Sequence, residues 1–309
     1  MSEMLRVGYA GVGLMGHGAA KNILLKGFPL TVLAHRNRAP IEDLVAKGAA
    51  EAPSASALAA ACDVMFLCLP GVAAVEEVIL GPHGCLDALR PGMIIADKST
   101  GDPDFTRRLG AILAERGVTL LDAPIGRTPK EAEEGRLSTL VGGDPASIAR
   151  IRPVISAYAD TIIEAGPLGA ALMVKIVNNF ISFTNAVVIS ETFAAASKMG
   201  VPFAPLCAMI EAGGSNSTMF QWIKPWILAG DDSRGRGRLV NGVGVLDGYR
   251  QLAAAAGAPM DMAETARAVL QRVLDAGHGA RYVPRLPGIL AEMAGAGFRS
   301  LDDDGPAGT

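Results

Sequence analysis

Aromatic side chains are scarce, at 5% of 309 residues, although half the chain is hydrophobic. The interior therefore has to be assembled mainly from Ala, Val, Leu and Ile. Cysteine is scarcer still. Cys62, Cys68, Cys85 and Cys207 are scattered and form no C-x-x-C pair. That spacing argues against a disulfide framework or a metal cluster, and the four thiols read as small hydrophobes in a reducing cytoplasm. Charge of one sign is also missing. A net charge of −3 gives no field for nucleic acid or for an anionic membrane. The most apolar late stretch, around Ala186–Ala196, is interrupted by Ser190, Glu191 and Thr192, and is expected to be too short and polar to span a bilayer. The first apolar run leads into glycines without a small-residue cleavage site, so no signal peptide is expected. No repeat of solenoid length is present. The length suits two domains with a large core.

The most telling feature present is a short apolar strand, Leu5–Ala10, that enters the turn Gly11-Val12-Gly13-Leu14-Met15-Gly16, followed by a helix over His17–Lys26. In a G-x-G-x-x-G turn the first glycine permits the tight bend. The second lets a pyrophosphate approach the backbone, and the third lets the helix pack on the strand. The helix start adds free N–H groups and a partial positive charge. The competing reading is a glycine-rich strand–helix turn without a ligand.

Strands and helices then alternate. Strands are expected at Leu30–Ala34, Asp63–Leu69, Gly92–Asp97, Val118–Asp122 and Ser138–Val141. Helices are expected at Pro40–Lys47, Ser54–Ala61, Val72–Ile79 and Asp102–Arg116. This order argues for a parallel sheet covered on both faces, a doubly wound Rossmann-type α/β domain over residues 1–166. After Gly166-Pro167-Leu168-Gly169 the pattern becomes helical throughout. Leu168–Met199 reads as one long helix that opens an all-α domain over residues 167–301. Asp231–Gly244, rich in Gly and Arg, reads as a loop, and residues 302–309 as a disordered acidic tail.

An acid at the end of the second strand would favour NAD, and an arginine NADP. Here stand His35-Arg36-Asn37-Arg38. NADP is therefore the expected cofactor, with NAD the alternative, and Arg36 is closer to the strand end than Arg38. Both arginines would serve equally as solvated turn residues. On the long helix, Lys175, Asn178, Asn179 and Ser182 fall at i, i+3, i+4 and i+7, which sets four polar groups on one stripe among apolar neighbours. A buried polar stripe needs partners, and a substrate would supply them. A lysine there suits general acid–base work, because burial lowers its pKa toward neutrality. It would also suit an ion pair with a nearby carboxylate. Two loops sit at C-terminal strand ends, where open α/β sheets bind ligands. They are Asp97-Lys98-Ser99-Thr100 and Asp122-Ala123-Pro124-Ile125-Gly126-Arg127-Thr128. Gly126, Arg127 and Thr128 could form an anion clamp, or Arg127 could pair with Glu131 or Glu134 at the surface.

Taken in order and spacing, the glycine turn, Asp97-Lys98-Ser99-Thr100 with Pro103, Asp122-Ala123-Pro124, Gly135-Arg136-Leu137 and Lys175-Ile176-Val177-Asn178-Asn179 resemble the β-hydroxyacid dehydrogenases. That group contains 3-hydroxyisobutyrate dehydrogenase and tartronate semialdehyde reductase. The resemblance runs from Val7 to about Ala276. It implies hydride transfer between a nicotinamide and a small anionic 3-hydroxy acid or its semialdehyde. Lys175 then matches the catalytic residue, Asn179 the residue that orients it, and Thr100 a cofactor contact. The candidate cofactor contacts are Gly11, Gly13, Leu14, Met15, Gly16, His35, Arg36, Asn37, Leu69, Pro70 and Thr100. The candidate substrate contacts are Ser99, Gly126, Arg127, Thr128, Asn178 and Ser182, with no metal.

Two departures stand out. Gly126-Arg127-Thr128 replaces the usual Ser-Gly-Gly and is similar to the sulfolactaldehyde reductase branch, whose members hold a sulfonate. The family's Lys-Asp near the start of a C-terminal helix is replaced by Gly242-Val243-Gly244-Val245-Leu246-Asp247. An arginine of the Arg234–Arg238 loop is one candidate to take over. An imine reductase or a non-catalytic cofactor-binding module are the other readings of the scaffold. Relatives pair their helical domains, so a homodimer or homotetramer is expected.

Overall fold

The structure is a computed structural model that describes residues 4–298. The tail expected at 302–309 lies outside the described residues. The chain divides into two compact units, Met1–Lys175 and Ile176–Thr309.

The first unit alternates strand and helix. In order it contains β1 (Val7–Ala10), α1 (Gly16–Leu25), β2 (Leu30–Leu33), α2 (Ala39–Ala46), β3 (Ala50–Ala52), α3 (Ala55–Ala61), β4 (Val64–Leu67) and α4 (Val72–Leu80). There follow β5 (Ile94–Asp97), α5 (Pro103–Ala114), β6 (Thr119–Asp122), β7 (Ile125–Gly126), α6 (Pro129–Glu133), β8 (Leu137–Gly142), α7 (Pro145–Ile155) and β9 (Ala159–Gly166). The sheet order is β3-β2-β1-β4-β5-β6-β8-β7, with β9 on β8. β1 to β6 pair in parallel. β8 runs antiparallel to β6 and β7, and parallel to β9.

Alternate residues along each central strand enter different cores. Tyr9, Phe66 and Ala96 pack with Ala19, Ile23, Ile41 and Ile151. Ala10, Met65, Leu67 and Ile95 pack with Leu58, Ile79, Leu109 and Leu113. The sheet is thus buried on both faces, which explains why its strands read as continuous apolar runs. The helix starts follow from local chemistry. Ser54 accepts the Ala57 N–H at 3.1 Å, Asp102 precedes Pro103 at the start of α5, and Asp144 accepts the Ser147 N–H at 2.8 Å before Pro145. The order reverses between β1 and β4, and this switch point marks where such a sheet takes a ligand.

α8 (Ala170–Met199) crosses the junction and opens the second unit. α9 (Phe203–Ala212), α10 (Thr218–Ala229), α11 (Leu239–Ala256), α12 (Asp261–Asp275) and α13 (Leu286–Met293) follow. The scarce aromatics concentrate here, with ring contacts linking Phe193, Phe203, Phe220, Trp226 and Phe298. One expectation is corrected. The loop read over Asp231–Gly244 ends sooner, because α11 begins at Leu239. Gly242 lies inside that helix, where a side chain would meet Phe183 and Leu270 at 2.8 and 2.7 Å. Its glycine marks close helix packing rather than a turn. α8 is long and apolar enough to cross a membrane by length and composition alone, and Ala186, Val187 and Phe193 on it belong to the second unit's core.

Candidate functional site

The glycine turn leaves β1 at the switch point. Gly11 has φ of +97°, and any side chain on it would overlap the Cys68 carbonyl that follows β4. A side chain on Gly16 would overlap the Gly11 carbonyl, whereas one on Gly13 would meet nothing within 4 Å. The outer two glycines are thus required by the protein itself, and the middle one faces open space. α1 starts with no side-chain cap and no acid in its first turn, so its leading N–H groups stay available to an anion. Leu14 is exposed, and Met15 packs partly on the core. Leu69 lies beside Gly11, and Pro70 follows it. These residues fit a dinucleotide diphosphate.

At the end of β2, His35, Arg36, Asn37 and Arg38 are all exposed. Arg38 is engaged by Glu51 in a two-pronged ion pair, at 2.6 and 2.9 Å. Arg36 has no hydrogen bond or ion pair among the described residues. The guanidinium nearer the strand end is therefore the unoccupied one.

β5 and β6 end in paired carboxylates, with Asp97 opposite Asp122 in register. Burial pushes Asp97 up to about 6, with Asp122 adding to the effect and the Ser99 hydrogen bonds opposing it. Asp122 is also raised by burial. Its oxygens accept the N–H groups of Gly169 and Leu172, both at 2.8 Å. Asp122 therefore anchors the start of α8, a role that the sequence reading did not assign. The only local signal was an acid at a strand end. Ser99 is buried and accepts the Leu69 N–H at 2.9 Å, which ties the loop after β4 to the loop after β5. Thr100 is exposed next to it.

Lys175 lies on the second turn of α8. Its Nζ donates to the Ile125 carbonyl at 2.9 Å, and burial alone pulls its ammonium below the usual lysine range. The described residues offer it no carboxylate. A side chain built on Gly126 would start 4.0 Å from this Nζ and 2.5 Å from Ser138 Oγ. Ser138 sits opposite Gly126 in the antiparallel ladder, and its hydroxyl has no partner among the described residues. Lys175, Gly126 and Ser138 thus enclose one polar spot. Ser138 escaped the sequence reading, because nothing local marks a cross-strand neighbour.

The neighbouring loop differs from a simple clamp. Arg127 has φ of +75° and is the one non-glycine residue among those described with positive φ, an arrangement that costs about 1–2 kcal/mol. Its guanidinium reaches Asp160 at 2.7 Å, Thr161 Oγ1 at 3.2 Å and the Arg136 carbonyl. Neither Glu131 nor Glu134 takes it. The Thr128 hydroxyl and N–H both go to Glu131, which forms a capping box for α6. The Arg127 and Thr128 side chains are therefore both engaged within the protein. α6 is fastened to α1. His17 bonds Glu133 and Asp43 at 2.8 Å each, Lys21 pairs with Glu133, and Asn22 Nδ2 donates to the carbonyls of Gly18, Ala132 and Glu133.

Asn178, Asn179 and Ser182 continue α8 in the second unit. Asn178 is exposed and Asn179 partly buried. Ser182 Oγ donates to the Asn178 carbonyl at 3.1 Å. The stretch Gly242–Asp247 lies within α11. There Asp247 is held by Arg250 at 3.0 Å and Arg267 at 2.6 Å, and Arg236 lies 4.7 Å from the Tyr282 ring. No group of three or more metal-ligating side chains occurs among the described residues.

Comparison with known proteins agrees with this geometry. Residues 6–166 match the family described as the NAD binding domain of 6-phosphogluconate dehydrogenase. Residues 169–282 match the NAD-binding family of NADP-dependent 3-hydroxyisobutyrate dehydrogenase. The chain is 33% identical to 2-(hydroxymethyl)glutarate dehydrogenase of Eubacterium barkeri over 76% of its own length and 78% of that protein's. It is 30% identical to 3-sulfolactaldehyde reductase of Escherichia coli over 65% and 67%. Among solved structures, Mycobacterium tuberculosis 3-hydroxyisobutyrate dehydrogenase with L-serine superposes with a TM-score of 0.83 at 25% identity, covering 93% of this chain and 99% of that one. The glycine turn at the switch point, the strand-end carboxylates and both family matches lead to one statement: this chain belongs to the β-hydroxyacid dehydrogenase family of NAD(P)-binding oxidoreductases.

Proposed function

We propose that this protein is an NADP-linked oxidoreductase that interconverts a small anionic 3-hydroxy acid and its semialdehyde, with Lys175 as general acid and base. The observation that carries this reading is the Lys175 amine itself. It is partly buried, held by a backbone carbonyl rather than a carboxylate, and directed at the spot bounded by Gly126 and Ser138. Burial makes its proton easier to give up, and giving a proton to a carbonyl oxygen is the step required in the reducing direction. The bound nicotinamide would supply the hydride. Lys175 protonates the oxygen as the carbonyl is reduced, and recovers a proton from solvent afterwards. Asn179, one turn further along α8, is the residue proposed to orient the amine.

The loop Gly126–Thr128, with Ser99, is proposed to receive the anionic end. The open guanidinium of Arg36 favours NADP over NAD. A carboxylate head group leads. A sulfonate, as in sulfolactaldehyde, is the second reading, favoured by the likeness of this chain to 3-sulfolactaldehyde reductase. The free thiols suit a cytoplasmic setting. The exposed stripe Val177, Ile181 and Val188 on α8 suits a homodimer or homotetramer.

The test is loss of NADPH absorbance in the presence of tartronate semialdehyde, methylmalonate semialdehyde and sulfolactaldehyde, run beside NADH. Turnover of one of these is expected, and Lys175→Ala should retain dinucleotide binding while losing about 10²–10⁴-fold in kcat. A Lys175→Ala variant with normal turnover would end the assignment.

A further inference from the structure

Lys98 follows β5 and is 3% exposed. Its Nζ donates to Tyr9 Oη at 2.8 Å, and lies 3.7 Å from the centre of the Tyr158 ring, 5.1 Å from that of Tyr9 and 5.9 Å from that of Phe66. A lysine in such an aromatic cage normally carries a counter-ion, because an unpaired buried charge is costly. Among the described residues this one has none.

The groups facing the amine are Tyr9 from β1, Cys68 from the loop after β4, and Tyr158 from the turn before β9. Burial pushes all three toward their neutral forms. On its own strand, Asp97 turns its carboxylate to the Ser99 N–H at 2.9 Å. Burial pushes the amine down to about 7, so it gains and loses its proton near neutrality.

The cage is the underside of the glycine turn. The Tyr9 ring edge lies 3.3 Å from where a side chain on Gly16 would begin, and the Cys68 carbonyl abuts Gly11. One face of the turn is offered to a diphosphate, and the other rests on the ring that holds the lysine.

We propose that Lys98 is a positioning residue for the dinucleotide, its amine being the buried counter-charge of the diphosphate, protonated as the dinucleotide binds. The proton comes from solvent, and no bond of the dinucleotide changes. The inference rests on the glycine turn as the dinucleotide site and is independent of what Lys175 does. An anion on the turn favours the charged amine across a low-dielectric layer, and the charged amine favours the anion in return.

The test is calorimetric titration of the whole protein with NADPH and with NADH at pH 8, in two buffers of different ionisation enthalpy. At that pH the 2′-phosphate of NADPH is fully ionised and does not mask the effect. The protein is expected to take up a few tenths of a proton with both dinucleotides. Lys98→Met should take up none and bind roughly tenfold more weakly at pH 7. Tyr9→Phe keeps the ring and removes the amine's acceptor. It should move the pH at which uptake peaks, which gives a second measurement if Lys98→Met does not fold. Binding without uptake in the unmodified protein, or equal uptake in Lys98→Met, overturns the proposal alone. Absence of binding by either dinucleotide overturns it together with the reading of the turn.

Discussion

Lys98 also sets a stability that changes with pH, and Lys98→Met isolates it. The amine falls from 10.5 to about 7 on folding. Each tenfold loss of proton affinity is worth about 1.4 kcal/mol, so near pH 7 the buried amine costs the fold on the order of 4 kcal/mol. Between pH 7 and 10.5 the unfolded chain binds more protons than the folded one, so this part of the stability rises with pH across that window and is lost as pH falls toward 7. Methionine has a similar reach and no charge. It gives up the hydrogen bond to Tyr9 and the amine's contact with the rings, about 1–2 kcal/mol together. It regains part of this through sulfur–aromatic contacts. The variant should therefore be more stable by about 2 kcal/mol at pH 7, with the gain shrinking steadily toward pH 10. Urea unfolding of both proteins at pH 7 and pH 9.5 measures the difference, in which other titrating groups cancel. An advantage that is the same at both pH values, or one that grows with pH, would refute the reasoning, since the amine would then not be the titrating group.

Three further outcomes are expected. Arg36→Ala should weaken NADPH binding about tenfold or more and leave NADH binding unchanged, whereas Arg38→Ala should affect neither strongly, because Glu51 already holds that side chain; fluorescence titration with the two dinucleotides decides. Asp122→Ala leaves the N–H groups of Gly169 and Leu172 without their acceptor and should lower stability by about 2–4 kcal/mol, read by thermal unfolding. Gly126→Ala places its new methyl 2.5 Å from Ser138 Oγ and should depress both the melting temperature and kcat/KM. Adding Ser138→Ala should restore the melting temperature, because the remaining neighbours, Ser138 Cβ at 3.9 Å and Lys175 Nζ at 4.0 Å, are at ordinary contact distance.

Much of the fold was legible because its signals are local. The Gly11–Gly16 turn, the strand–helix alternation through Asp122 and the long helix that became α8 all announce themselves within a dozen or so residues. β9 did not. Its residues Ala159–Gly166 are half exposed and belong to the sheet only through β8. The start of α11 is hidden in the sequence, because Gly242 looks like a turn residue until the space beside Phe183 and Leu270 is known. At the candidate site, residue types and helical spacing named Lys175 and the loop 126–128. They could not show that Arg127 would turn to Asp160, 33 residues on, or that Asp122 would hold the start of α8. Nor could they show that Lys98, beside a motif already singled out, would point into an aromatic cage. Each of those outcomes depends on a partner brought close only by the completed sheet.

The bond set that joins α6 to α1 has a wider consequence. Glu133 receives both His17 and Lys21, and Gly18 lacks a side chain where the Ala132 backbone passes at 2.5 Å. The short helix α6 therefore inherits the rigidity of the longer one it is bolted to, and the strained peptide at Arg127 is kept in shape by a scaffold that it does not itself build. On the proposed reading, an anionic head group at Gly126–Thr128 would meet a surface already set, so little of its binding energy would go into ordering the loop, and selectivity between head groups would rest on shape rather than on adaptation.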